Sequence, residues 1–276
     1  MGGGATRRDT TLAALALAAL LVTGCSSSDR GAGGDAGGST ATTSGPAPEL
    51  ASLAERCLSQ IPEPDLVERQ QIDDPRGLHL VAGVFLPDGE DAEAAVVLLH
   101  QIGGAGLCGW GPWATHAAHA GVAAVAIDLC GYAQSRCAAR WNTDPATQVE
   151  VAADWAREQL GVSRVVVAGA SMGGSQTVRA VADGAPVDAW ADVSGPSAWD
   201  GVPLSSVAAR VDRPGLVVYA RSDGAAEFRA ARQLARRTGA TFVEGRAGHG
   251  WELLTRIQDG ELTPVGRTLL ELVEGR

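Results

Sequence analysis

The chain has 276 residues, of which 45% are hydrophobic and 20% charged, and its formal net charge is −10. This length and composition exclude a wholly disordered chain and are sufficient for one sizeable α/β core. The acidic balance makes the chain a poor partner for polyanions, so we expect no nucleic-acid binding.

The N-terminus has the pattern of an export signal. Arg7 and Arg8 precede an apolar run from about Leu12 to Val22, which is too short to span a bilayer and is typical of a signal peptide. The run leads into a Val-Thr-Gly-Cys sequence that ends at Cys25 and resembles the lipobox of bacterial lipoproteins. The resemblance implies cleavage before Cys25, acylation of this cysteine and anchoring to the extracytoplasmic face of the cell membrane. A chance cysteine after an ordinary signal is the alternative, and export through either the general or the twin-arginine route remains open.

Composition divides the rest of the chain in two. Residues 26–48 are almost wholly Ser, Gly, Ala, Thr and Pro, a composition that buries little apolar surface and forms a flexible tether. We therefore predict a signal peptide over residues 1–24, a lipid-anchored flexible linker over 25–48 and a single α/β domain over 49–276.

Four cysteines remain once Cys25 is assigned to lipid, namely Cys57, Cys108, Cys130 and Cys137. An even number in an exported protein favours two disulfides. Three pairings are possible, and we favour Cys130–Cys137 as a short loop with Cys57–Cys108 as the longer closure.

Short apolar runs alternate with amphipathic stretches through the domain. The runs predicted as strands are His79–Phe85, Ala94–Leu99, Val122–Ile127, Arg164–Ala168, Ala189–Val193, Gly215–Tyr219 and Ala240–Val243. Asp144-Pro145 begins a helix that Gly161 ends, and a second helix covers 225–238. This alternation predicts a mostly parallel sheet with helices on both faces and reactive groups at the carboxyl ends of the strands.

A Gly-x-Ser-x-Gly pattern follows one of these strands, at Gly169, Ser171 and Gly173. It is typical of a nucleophile elbow, in which a sharp strand-to-helix turn presents the serine hydroxyl. The pattern occurs readily by chance in a glycine-rich chain, so it needs support from elsewhere; a structural turn serine is the alternative.

Candidates for the partners of Ser171 follow later in the chain. His249, in a glycine-flanked loop after the last predicted strand, is the candidate base, and Asp223, just past the preceding strand, is the candidate acid that orients it. Asp192 and Glu227 are the alternative acids. The Ser, Asp, His order is the one expected of an α/β-hydrolase.

From about Leu78 onward the chain resembles the α/β-hydrolase family, including its dienelactone-hydrolase-like and esterase or lipase branches. Besides the elbow, the acid and the histidine, the resemblance lies in the segments 98–104, similar to the family's His-Gly-x-Gly-Gly, and 128–135, similar to Asp-x-x-Gly-x-Gly-x-Ser. It implies that the amides of Ile102 and Met172 form the oxyanion hole. Gln101 and Ala133 stand where the family has, or often has, glycine.

Other chemistry-bearing residues have simpler interpretations. We expect His100 to support the loop that carries Ile102 and Asp128 to be a structural carboxylate at a strand end. His116 and His119 share a helical face, but no third ligand is apparent, so we predict no metal site. Trp110, Trp113 and Trp251 are candidates either for an apolar substrate pocket or for core packing, two equal alternatives.

These features predict an exported, lipid-anchored serine hydrolase that cleaves a small or medium carboxylic ester through an acyl-enzyme and needs no cofactor. Only about twenty residues separate the predicted strands Ala189–Val193 and Gly215–Tyr219. This segment is too short for a large lid. An acyltransferase or peptidase with the same triad, or a non-catalytic envelope binding protein that kept the fold, are the alternatives. The oligomeric state is open, and a monomer is assumed.

Overall fold

The computed structural model describes residues 52–89, 91–103 and 106–276. The predicted signal peptide, Cys25 and the linker over 25–48 lie outside the described residues. Within the described ranges, no helix combines the length and the apolar character needed to cross a membrane.

The domain is built around one twisted sheet. Its strands are β1 (Val67–Asp74), β2 (Leu78–Phe85), β3 (Ala94–Leu99), β4 (Val122–Ile127), β5 (Arg136–Cys137), β6 (Arg164–Ala170), β7 (Ala189–Val193), β10 (Gly215–Ala220) and β11 (Thr241–Gly245). The spatial order is β1-β2-β4-β3-β6-β7-β10-β11, with β5 paired to β2. The pairs of β2 are antiparallel, and the pairing from β4 through to β11 is parallel. This confirms the predicted α/β fold class with a mostly parallel sheet.

Helices cover both faces of the sheet. They are α1 (Leu53–Cys57), α2 (Gly111–His119), α3 (Pro145–Leu160), α4 (Met172–Ala182), α5 (Leu204–Val207), α6 (Ala225–Thr238) and α7 (Pro264–Glu274). Apolar side chains of α3, α4 and α6 pack in one core with alternate strand residues such as Val97, and those of α1, α2 and α7 pack in the other with residues such as Val96. The strands are buried on both faces, which explains their continuous apolar runs.

The predicted helix ends are present. Asp144 Oδ1 accepts a hydrogen bond from Thr147 N at 3.0 Å at the start of α3, and Gly161 ends that helix with φ 69°. This left-handed conformation is the one that glycine adopts without steric cost.

All seven predicted strands are present, with ends that shift by at most two residues. The prediction missed β1 and the two-residue strands β5, β8 (Ala198–Trp199) and β9 (Val202–Pro203). β1 lies at the sheet edge and buries Ile72 alone, so its sequence lacks the apolar run typical of the central strands. Between β7 and β10 the chain contains only β8, β9, α5 and turns, and no large lid covers this part of the described chain.

Both favoured disulfides are present. Cys57 is bonded to Cys108, and Cys130 to Cys137, with Cα–Cα distances of 5.2 and 5.5 Å. The first bond joins α1 to the segment before α2, and the second closes the loop between β4 and β5. The predicted pairing is therefore confirmed.

Candidate active site

Ser171 lies in the sharp turn between β6 and α4. Its backbone has φ 50° and ψ −117°, a conformation that a residue with a Cβ adopts only under strain. The amide of Ser171 donates to Val193 O at 2.8 Å, and Ser175 N donates to Ser171 O at 3.2 Å. These backbone hydrogen bonds stabilise the strained conformation of Ser171.

The two glycines of the pattern allow this turn by close backbone contact. A Cβ on Gly169 would lie 2.0 Å from Gly173 O, and one on Gly173 would lie 2.2 Å from Leu99 O. Neither contact is possible for a side chain. The glycines are therefore required by the packing of β6, α4 and β3 around Ser171.

His249 lies in the loop after β11, and its ring contacts one carboxylate. His249 Nδ1 is 2.6 Å from Asp223 Oδ2, and the side chains are 40% and 18% exposed. The backbone of the same residue is held by Glu252, whose Oε2 accepts from His249 N at 3.2 Å. A carboxylate on Nδ1–H leaves Nε2 as the proton acceptor of the ring.

The two alternative acids have other partners. Asp192 is fully buried, and its Oδ1 accepts from Gly195 N at 2.7 Å. Glu227 accepts from Ser197 N at 2.7 Å and from the Ser197 hydroxyl at 3.2 Å. Among the three carboxylates, only Asp223 has a described contact with His249.

The loop that carries His249 packs against the end of β6. A Cβ on Gly250 would lie 3.4 Å from the Cβ of Ala170, the residue before Ser171. This places the histidine loop beside the serine turn, although Ser171 Oγ makes no hydrogen bond to His249 in the described part of the chain. Catalytic hydrogen bonds are often long in unliganded sites and tighten when substrate binds.

Of the two candidate oxyanion donors, Met172 directly follows Ser171 in the chain, and Ile102 lies in the loop after β3. The N–H groups of Ile102 and Met172 have no hydrogen-bond acceptor among the described residues. Met172 N–H is at the N-terminus of α4, where backbone N–H groups and the helix dipole favour a negative charge. Both groups are therefore available to an oxyanion.

His100 orients the peptide that carries the Ile102 donor. Its Nε2 accepts from Leu129 N at 3.1 Å, so the proton lies on Nδ1, which donates to Gln101 O at 2.7 Å. A trans peptide directs its N–H opposite to its C=O, so the bond to Gln101 O also sets the direction of Ile102 N–H. Burial lowers the pKa of the His100 ring, in agreement with the neutral form that an accepting Nε2 requires.

The two departures from the glycine pattern differ in consequence. Gln101 does not have a positive φ, so its Cβ causes no backbone strain there, whereas Ala133 has φ 45°. The Gln101 side chain extends toward the histidine loop, where a Cβ on Gly250 would be 2.2 Å from its Oε1. This oxygen is buried and has no hydrogen-bond partner in the described ranges.

The remaining candidates are structural. His116 Nε2 contacts Gly260 O at 2.8 Å, and His119 Nε2 contacts Glu63 Oε1 at 2.9 Å.

Trp110 and Trp113 are buried and donate to backbone carbonyls, and the half-buried Trp251 packs edge-on against Trp110. The tryptophans therefore belong to core packing rather than to an open pocket.

Sequence and structure comparisons point to one fold. A family model described as alpha/beta hydrolase fold matches residues 94–189. The chain has the α/β-hydrolase fold. The resemblance that the motifs predict is thereby confirmed. No curated protein matches the sequence.

Three solved structures illustrate the likeness. A dienelactone hydrolase from Anabaena variabilis has 19% identity and a TM-score of 0.55, with 75% of this chain and 96% of that one covered. Est1E from Butyrivibrio proteoclasticus, solved with ferulic acid, has 16% identity and a TM-score of 0.54, with coverage of 75% and 96%. An esterase from Pyrococcus furiosus has 13% identity and a TM-score of 0.55, with coverage of 66% and 82%. At these identities the likeness shows the fold alone.

Proposed function

We propose that this α/β-hydrolase-fold protein is a serine esterase with Ser171 as nucleophile, His249 as base and Asp223 as the acid that orients His249. The observation that carries the proposal is the 2.6 Å contact of His249 Nδ1 with Asp223 Oδ2, on a loop packed beside the strained serine turn. A histidine held by a carboxylate beside a serine in a strained turn is typical of a nucleophile site.

The reaction follows from this arrangement. Ser171 Oγ attacks the ester carbonyl carbon while His249 Nε2 takes the hydroxyl proton, and Asp223 stabilises the imidazolium that forms. The N–H groups of Ile102 and Met172 stabilise the oxyanion of the tetrahedral intermediate. The bond from the carbonyl carbon to the alcohol oxygen then breaks as His249 gives the proton to the leaving alcohol. A water molecule next attacks the acyl-enzyme carbonyl and gives a proton to His249, which passes it to Ser171 Oγ as the acid is released.

The substrate class we propose is a small or medium carboxylic ester. The chain between β7 and β10 carries no large lid, which favours an open site. An esterase and a dienelactone hydrolase are among the similar structures, which supports a proposal of ester hydrolysis. Fold and triad do not select the acyl acceptor, so transfer to an alcohol or amine is an outcome that a product assay distinguishes.

We place this activity at the cell envelope, on a lipid anchor at Cys25. The support is the apolar run and the Val-Thr-Gly-Cys sequence that ends at Cys25, together with two disulfides, which are typical of exported proteins. Mass analysis of the membrane fraction is expected to show a diacylglyceryl group on Cys25, absent in Cys25→Ala.

The activity is tested with p-nitrophenyl esters of graded acyl length. We expect turnover that is highest for short or medium chains and that Ser171→Ala reduces to background, with Ser175→Ala as a matched control in the same helix that retains it. Equal turnover in Ser171→Ala and the wild type would exclude Ser171 as the nucleophile.

A further inference from the structure

A buried ion pair ties α1 to the end of β4. Arg56 Nη1 lies 2.5 Å from Asp128 Oδ2, and Arg56 Nη2 lies 2.7 Å from Asp128 Oδ1. The Asp128 side chain is fully buried and that of Arg56 is 12% exposed. Two parallel N–H···O bonds give such a pair both strength and a defined geometry.

Asp128 passes this constraint on to the backbone before α2. Its Oδ1 also accepts from Leu107 N at 3.0 Å, and its Oδ2 accepts from Gln134 N at 3.1 Å. Cys57, which follows Arg56, and Cys108, which follows Leu107, are joined by a disulfide. Adjacent residues of α1 therefore hold Leu107 and Cys108, one through a carboxylate and the other through a disulfide.

Leu107 and Cys108 lie at the C-terminal end, here called the far end, of the loop that carries Ile102. His100 and its bonds to Gln101 O and Leu129 N hold the near end. At the far end Gly106 has φ 52°, and a Cβ there would lie 2.5 Å from Asp128 Oδ1 and closer still to the Arg56 guanidinium. The ion pair thus occupies the space directly against the backbone where the loop ends.

We propose that Arg56 is a positioning residue for the oxyanion donor of the esterase reaction. Through Asp128 and Leu107, with the neighbouring Cys57–Cys108 bond, it holds the far end of the loop so that Ile102 N–H stays directed at the reacting carbonyl. The inference rests on the proposed function, since it concerns the same oxyanion site. Without Arg56, the buried Asp128 carboxylate loses its countercharge, and its bonds to the loop are no longer fixed.

The kinetic consequence differs from that of a merely stabilising contact. An oxyanion donor acts in the transition state and little in the ground state, so its displacement lowers kcat while KM stays constant. Displacement by up to about 1 Å is enough to reduce the rate on the order of ten- to a hundredfold.

The test compares Arg56→Gln and Arg56→Lys with Arg164→Gln in the full chain. Arg164, at the opposite end of β6, donates to Val273 O and Leu272 O, so its loss destabilises the fold away from the site. For each variant, kcat and KM on a p-nitrophenyl ester, the rate of fluorophosphonate labelling and Tm are measured.

We expect Arg56→Gln to lower kcat and the labelling rate on the order of ten- to a hundredfold with KM within about twofold. Arg56→Lys keeps the charge but not the paired geometry, so its kcat is expected to lie between those of the wild type and Arg56→Gln. Arg164→Gln is expected to keep the wild-type kcat while its Tm falls. Folded Arg56→Gln with wild-type kcat, or equal kcat losses in Arg56→Gln and Arg164→Gln, would overturn the proposal.

If Arg56→Gln does not fold, Arg56→Lys decides: a kcat within twofold of the wild type overturns the proposal, and a larger loss at constant KM supports it. Failure of the proposed function gives a different result: the wild-type protein is then folded but is not labelled by the fluorophosphonate.

Discussion

His249 Nδ1 contacts Asp223 Oδ2 at 2.6 Å, across the ends of two neighbouring parallel strands, β10 and β11. Asp192, in β7, and Glu227, in α6, accept hydrogen bonds from the backbone of Gly195 and Ser197 instead. The three carboxylates therefore have separate roles, of which only that of Asp223 involves the candidate base.

The first prediction concerns Asp223→Asn. The amide places a donor where the carboxylate accepts from Nδ1–H, which favours the wrong tautomer of His249, so we expect kcat/KM to fall on the order of a thousandfold or more. Glu227→Gln, measured on the same ester, is the matched control and is expected to stay within about fivefold of the wild type, since the amide oxygen can still accept from Ser197 N and the residue has no described contact with His249. A larger loss in Glu227→Gln than in Asp223→Asn would reverse the assignment of the acid.

The second prediction concerns strain at Ser171, whose φ is 50°. Glycine adopts positive φ without the penalty that a Cβ carries, so we expect Ser171→Gly to have a free energy of unfolding about 1 kcal/mol above that of Ser171→Ala. Chemical denaturation of the two inactive variants measures the difference. Ser175→Gly against Ser175→Ala, in the helix, is the control and is expected to show the opposite sign, because glycine destabilises a helix interior. Equal stabilities at position 171 would mean that the turn is unstrained.

The third prediction concerns Gln101, whose buried Oε1 has no partner in the described ranges. A buried acceptor left unpaired costs about 1–3 kcal/mol, so Gln101→Met is expected to raise the free energy of unfolding by about 1 kcal/mol. Since backbone N–H groups supply the oxyanion donors of the proposal, kcat is expected to stay within about threefold of the wild type.

Gln134→Met is the control for this substitution, because Gln134 Oε1 is likewise buried without a described partner. The same gain in stability is expected there. A loss of kcat in Gln101→Met alone, at wild-type stability, would instead give the Gln101 amide a part in the reaction.

The fourth prediction follows from Asp192, where burial raises the pKa of the carboxyl to about 7. The folded-state pKa then lies above the unfolded value of about 4, so the stability that this group contributes is complete below pH 4 and is lost as the pH rises through 7. Asp192→Asn does not titrate. Its free energy of unfolding relative to the wild type is therefore expected to rise by about 2 kcal/mol between pH 5 and pH 8.

Denaturant unfolding at the two pH values measures this difference. Asp154→Asn removes the same charge from an exposed position, and its effect relative to the wild type is expected to be the same at both. A difference for Asp192→Asn that is constant with pH would contradict the raised pKa of the buried carboxyl.

The central strands were predictable because burial on both faces requires a continuous apolar run, as in Val122–Ile127, where every residue is buried. The edge strand β1 was not, since Val67–Asp74 buries Ile72 alone. The sequence order also indicated Asp223 as the acid but left Asp192 and Glu227 open, because which carboxylate reaches His249 depends on the loops that follow the strands.

The contact of Arg56 with Asp128 had no sequence signal. The two residues are 72 positions apart, and neither belongs to a local periodic pattern that would place them together. The predicted pairing of Cys57 with Cys108 brings the start of the domain to the segment before α2, but it does not indicate that Arg56 reaches Asp128.

Intact mass analysis after treatment with a fluorophosphonate probe measures whether Ser171 is an activated nucleophile. We expect one probe per folded wild-type chain, on Ser171, and none on Ser171→Ala or on wild-type protein unfolded beforehand. Folded wild-type protein that remains unlabelled, or a label that persists in Ser171→Ala, would contradict this expectation.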